Sequence, residues 1–126
     1  MPLVRIDMSN KNDNALGNQI GDLVYRAMME EINVPKNDKF QVISYRGENE
    51  IIFPESYLGI EYTSNIVFIQ ITLNEGRSKD LKQRLYHRIA KDCEAELSLR
   101  RQDIFISLIE VSKENWSFGN GEMQYA

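Results

Sequence analysis

The apolar pattern of this chain runs twice at an offset of 65 residues, and that repetition constrains the fold more than any other feature. Glu31, Asp38 and Phe40 meet Glu96, Asp103 and Phe105; Ile32 and Val34 meet Leu97 and Leu99; Leu3 and Ile6 meet Phe68 and Ile71. Identity between the halves is modest, but the pattern is consistent with a duplicated β-α-β unit. The halves span about 1–62 and 63–126, and a length of 126 residues fits them into a single domain.

In the first half, Leu3 to Met8 alternates apolar and polar residues and reads as a short strand. Ser9 to Asn14 carries several candidate helix N-caps, after which Leu16, Ile20, Leu23, Val24, Ala27 and Met28 recur at helical spacing to about Glu31. Gly17 and Gly21 each weaken that helix by about 1 kcal/mol relative to Ala, and also let it lie close to a sheet. Pro35 ends the helical pattern, and Lys39 to Tyr45 reads as the second strand. Arg46 to Ser64 is irregular, with a brief extended piece expected at Ile51-Ile52-Phe53. In the second half, Asn65 to Leu73 is apolar enough to predict a strand covered on both faces. Ser78 then caps a helix striped by Leu81, Leu85, Ile89 and Cys93, and Ile104 to Val111 forms the fourth main strand. The predicted class is α+β: a four-stranded mixed sheet, two helices on one face and short extra strands.

A strand–helix–strand unit of this length makes a right-handed crossover, so its two strands run parallel and start at one edge of the sheet. Pro2 precedes the first strand and Asp38 the second. A pseudo-two-fold between the halves makes the third strand antiparallel to the first, returning Asn74-Glu75-Gly76-Arg77 to that same edge. Topology thus predicts that Pro2, Asp38 and Arg77 converge.

Proline at position 2 is small enough for Met1 to be removed, leaving a secondary amine that can accept or donate a proton. An α-amino group titrates nearer neutrality than Lys, and burial or a neighbouring cation lowers it further. Arg77 opens the second helix, where a guanidinium fork and helix N-terminal amides both favour a carboxylate. Asp38 could orient a water or pair with the protonated amine, whereas its repeat mate Asp103 points instead to a structural turn.

Other chemistries are poorly supplied. One cysteine and one histidine give no disulfide, Cys–His dyad, Ser–His–Asp triad or zinc cluster, and no cofactor or metal is expected. Cys93 lies on the apolar helix stripe and reads as core, His87 as a solvent-facing helix residue, and Gly119-Asn120-Gly121 as a turn. A net charge of −4 argues against nucleic acid, although one buried Arg still suffices for a small anion. No apolar run approaches the roughly 18 residues of a membrane span, and the N-terminus lacks signal-peptide character, so a cytoplasmic location is expected.

The start MPLVRID, the segment Val34–Gln41 (VPKNDKFQ) and Ile69–Ser78 (IQITLNEGRS) resemble the tautomerase superfamily. Glu114–Gly121 (ENWSFGNG) is similar to its malonate semialdehyde decarboxylase branch. This resemblance implies a MIF-like fold assembled as a homotrimer. It makes Pro2 the catalytic residue, a general base in tautomerases and a cationic acid in the decarboxylase branch. It also matches Asp38 to a catalytic aspartate, Arg77 to one of two active-site arginines, and Trp116 and Phe118 to aromatic pocket walls. From the residues alone, those two aromatics could equally be a core plug or a trimer contact. The second arginine has no counterpart: Asn74 stands there and the loop is one residue longer, which leaves one cation for a substrate carboxylate, with Arg5 and Arg46 as candidate substitutes. Three readings stay open: tautomerisation of a small 2-oxo acid such as phenylpyruvate, decarboxylation or hydration of a 3-oxo acid, and a non-catalytic trimeric module.

Overall fold

A computed structural model describes residues 2–125. The main elements are β1 (Leu3–Ser9), α1 (Leu16–Ile32), β2 (Phe40–Arg46), the two-residue strands β3 (Ser56–Tyr57) and β4 (Ile60–Glu61), β5 (Val67–Asn74), α2 (Lys79–Leu97) and β6 (Ile104–Val111). The sheet order is β2-β1-β5-β6, with β1 parallel to β2, β5 parallel to β6, and the central pair β1–β5 antiparallel. This is the pseudo-symmetric α+β arrangement the repeat predicts.

Both helices cover one face of the sheet. Val4, Ile6 and Met8 of β1 and Val67, Ile69, Ile71 and Leu73 of β5 point into that layer. Ile20, Val24 and Met28 of α1 meet them, as do Leu85, Ile89 and Cys93 of α2. Burial pushes the Cys93 thiol up to about 12, so it stays protonated and behaves as a small apolar residue. Gly17 and Gly21 let α1 approach β2: an added Cβ would stand 2.4 Å from Cγ2 of Ile43 and 2.3 Å from Oε1 of Gln41, respectively.

Three local expectations are corrected. No side chain of Ser9–Asn14 takes the Ncap position of α1; Ala15 occupies it without a side-chain bond, and the Tyr45 hydroxyl accepts from the Gly17 N–H at 3.0 Å instead. Ile51–Phe53 forms no strand, and the short strands lie a few residues later around a Leu58-Gly59 turn in which both residues have positive φ. Within one copy of the chain, the strand predicted to be covered on both faces is covered on one, because α1 and α2 both pack on the same side.

The face of the sheet opposite the helices carries Phe40, Val42, Phe105 and Ile109, each at least 40 % exposed, beside an open apolar depression of ≈ 400 Å³ lined by Phe53, Tyr57, Ile66 and Phe68, among others. Among the described residues, no helix is long and apolar enough to cross a membrane.

Candidate active site

Pro2 is buried immediately before β1. Met1, whose removal would free the Pro2 amine, lies outside the described residues. Leu3 pairs with Phe40 on one side and with Thr72 on the other. Continuing the antiparallel register sets Pro2 against Leu73 and its nitrogen toward Asn74, the last residue of β5. Two adjacent central strands therefore bring a chain start and the β5–α2 corner to one sheet edge.

Arg77 lies in that corner, half-buried. Its Nε donates to the Ile32 carbonyl at 3.3 Å and its Nη1 to the Asn74 carbonyl at 3.1 Å. The cation thus sits at the C-terminal end of α1, where the helix dipole favours positive charge. Its Nη2 has no partner among the described residues, so one face of the guanidinium remains for an anion. Ser78 follows as the N-cap of α2, its Oγ accepting from the Leu81 N–H at 3.2 Å.

Asp38 closes a turn, its N–H donating to the Pro35 carbonyl at 3.3 Å, and lies two residues before β2. It occupies the same sheet edge as Pro2, one strand across, and is half-buried. Among the described residues no group donates to its carboxylate. Asp103, its repeat mate, is 1 % exposed and accepts from the Thr63 N–H at 2.8 Å, the Thr63 hydroxyl at 2.5 Å and Arg100 at 3.2 Å. The two mates have diverged: Asp103 is a structural anchor, whereas Asp38 keeps an open carboxylate.

Trp116 and Phe118 follow the 3-10 turn Lys113–Asn115 after β6. Their rings stack at 5.5 Å and 20°, and Tyr125 meets Phe118 edge-on at 4.9 Å. The Trp116 indole N–H donates to Oδ1 of Asn74 at 2.7 Å, which ties the aromatic tail to the β5–α2 corner. These two residues are therefore no core plug: Phe118 is 37 % exposed.

Neither proposed substitute for the missing arginine reaches this edge. Arg46 pairs with Asp7 at 2.9 Å at the far end of the sheet, and Arg5 lies mid-strand on the uncovered face between Val42 and Gln70. His87 is exposed on α2 beside Arg84 and Lys91. Among the described residues, no group of three or more His, Cys, Asp or Glu could hold a metal. Sequence reasoning missed Tyr125 and Gln124, which no periodicity marks, and treated Asn74 only as an absence.

The fold agrees with comparison to known proteins. The model of a tautomerase enzyme family matches residues 38–119, and the chain belongs to that family of enzymes. It is 36 % identical to a probable tautomerase, YusQ, of Bacillus subtilis (strain 168), over 98 % of both chains. It is also similar to the FG41 malonate semialdehyde decarboxylase inhibited by 3-bromopropiolate, with a TM-score of 0.89 and 30 % identity over 98 % of this chain and 93 % of that one. A second malonate semialdehyde decarboxylase has decarboxylase and hydratase activities and was solved as wild type, proline-to-alanine mutant and inactivated enzyme. It matches at a TM-score of 0.88 and 25 % identity over 98 % and 95 %. At 16 % identity, a symmetric trimer of fused 4-OT shares the fold, with a TM-score of 0.77 over 98 % and 97 %.

Proposed function

We propose that the mature protein, with Met1 removed, interconverts enol and keto forms of a small 2-oxo acid such as phenylpyruvate, with the Pro2 amine as acid–base catalyst. The observation that carries this reading is the burial of Pro2 beside the corner that holds Asn74 and Arg77. Burial and a nearby cation both keep an amine neutral near physiological pH. Pro2 takes the enol O–H proton as the carbonyl forms, then delivers that proton to C3. Arg77 holds the carboxylate and stabilises charge that develops on the enolate. Asp38 pairs with the transiently protonated amine, and Trp116 and Phe118 wall the apolar part of the substrate. The protein works as a homotrimer: the exposed Phe40, Val42, Phe105 and Ile109 and the unpaired edges β2 and β6 give copies of the chain a surface to share.

The test is ultraviolet-monitored ketonisation of phenylpyruvate enol. Pro2→Ala is expected to lower kcat by about 10²-fold or more, the usual worth of a positioned acid–base group. Equal rates for Pro2→Ala and wild type would sink this reading and favour a trimeric module without chemistry.

A second reading is decarboxylation or hydration of a 3-oxo acid, with a protonated Pro2 and with Asp38 activating water. It is favoured by the whole-chain similarity to two malonate semialdehyde decarboxylases. Against it stands the departure from that branch's pattern: Asn74, whose amide brings no charge, occupies the place of the second arginine. Acetaldehyde release from malonate semialdehyde, together with a Pro2 amine titrating well above neutrality, would select it.

A further inference from the structure

Besides its main-chain N–H, Asn74 has three polar groups at the corner, and two are committed. Its carbonyl accepts from Arg77 Nη1 at 3.1 Å, and its side-chain Oδ1 accepts from the Trp116 indole at 2.7 Å. An indole N–H only donates, so it selects one orientation of the carboxamide: oxygen toward the ring, NH₂ away from it. Among the described residues nothing accepts from that NH₂. Asn74 is half-buried and lies next to the nitrogen side of Pro2 by strand register.

The indole is itself held by the tail. Phe118 stacks on it, Tyr125 braces Phe118, and Gln124 closes the loop between them. The Phe118 N–H donates to Oε1 of Gln124, and Nε2 of Gln124 donates to the Gly119 carbonyl, both at 3.0 Å. Gly119, Asn120 and Gly121 all have positive φ, which lets the chain reverse tightly enough for this clamp. The order of support runs from Gln124 through the aromatic stack to Asn74.

We infer that Trp116 is a positioning residue: it fixes Asn74 so that the carboxamide NH₂ serves as a neutral donor to a substrate oxygen beside the single cation Arg77. This rests on the Pro2 reading above and narrows its substrate class. A monoanionic 2-oxo acid, with one carboxylate for Arg77 and one uncharged oxygen for Asn74, fits a corner with one charge. A dianion would leave its second carboxylate on an amide.

The experiment is a double-mutant cycle on the mature protein: wild type, Trp116→Phe, Asn74→Ala and the pair. Side-chain amide resonances are followed by ¹⁵N NMR, with phenylpyruvate titrated in as the probe. Trp116→Phe keeps an aromatic ring against Phe118 while removing the N–H and part of the indole. The Asn74 carboxamide resonances should move in Trp116→Phe. Each single variant should weaken phenylpyruvate binding about three- to tenfold, the size of one lost hydrogen bond. The pair should bind no more weakly than Asn74→Ala alone, because Trp116 acts through Asn74. Unmoved Asn74 resonances, or additive losses in the pair, would overturn the inference. Both readouts need no turnover, so equal rates for Pro2→Ala and wild type would defeat the Pro2 reading while this result is judged separately.

Discussion

Tyr45 does for α1 what a Ser or Asp cap usually does. Its hydroxyl accepts from the Gly17 N–H at 3.0 Å and lies 2.8 Å from the Asn14 carbonyl, to which it donates. Tyr45→Phe leaves an amide at the helix start without that partner and is expected to cost about 1–2 kcal/mol, seen as a lower urea midpoint with an unchanged slope. Tyr45 pairs with Met8 near the end of β1 far from Pro2, so the ketonisation kcat should stay within twofold of wild type, a ratio that is about 0.4 kcal/mol. At the candidate site the weight rests on residues whose side chains look unremarkable in isolation. In the proposed mechanism Pro2 matters because its main-chain nitrogen becomes an amine once Met1 is removed, and Asn74 because a tryptophan tells it which way to point.

Among the elements, the close contact of α1 with β2 at Gly17 and Gly21 gives a ranked prediction. Gly17→Ala places a methyl 2.4 Å from Cγ2 of Ile43 and 2.9 Å from the Tyr45 hydroxyl, two groups with little room to move. Overpacking there should outweigh the gain in helix propensity and cost about 1–2 kcal/mol net. Gly21→Ala meets only the carboxamide end of Gln41, whose Nε2 donates to the Gly21 carbonyl. That flexible side chain can swing aside, so its change in stability should stay within about 0.5 kcal/mol, the ordinary range for a mild substitution. Thermal denaturation of the two variants side by side checks the ranking, and equal losses would contradict it.

Across the whole molecule, the links between the two halves include the β1–β5 ladder and an ion network between the helices. The repeat mates Glu31 and Glu96 each accept from an arginine of the opposite helix: Glu31 from Arg88 at 3.1 Å, Glu96 from Arg26. Between them sits Asp92, 7 % exposed, accepting from Arg88 at 2.7 Å and Arg26 at 2.9 Å. Burial pushes the Asp92 carboxyl up, but the bonds from Arg26 and Arg88 outweigh it and hold it below its ordinary 3.8. A depressed carboxyl stabilises the fold in full above its unfolded value and loses that contribution as pH falls through the folded one. Asp92→Asn is therefore expected to cost about 2–3 kcal/mol at pH 7. The gap from wild type should narrow below about pH 4, measurable as converging melting temperatures.

Much of this was legible in the sequence because apolar periodicity and duplication report directly on which side of an element is buried. The β-α-β repeat, the positions of both helices and four main strands, the core role of Cys93 and the sheet edge shared by Pro2, Asp38 and the Asn74–Arg77 corner all follow from local pattern plus the handedness of crossovers. The missed features are contacts between segments far apart in the chain, to which periodicity is blind. Tyr45 caps a helix 28 residues before it, Trp116 reaches Asn74 across 42 residues, and Arg77 bonds a carbonyl 45 residues upstream. Sequence by itself determined the architecture and proposed Pro2 as the amine for the chemistry. Only the tertiary structure decided which polar groups around that amine are already satisfied and which remain for a ligand, because that depends on hydrogen-bond partners the folded chain brings together.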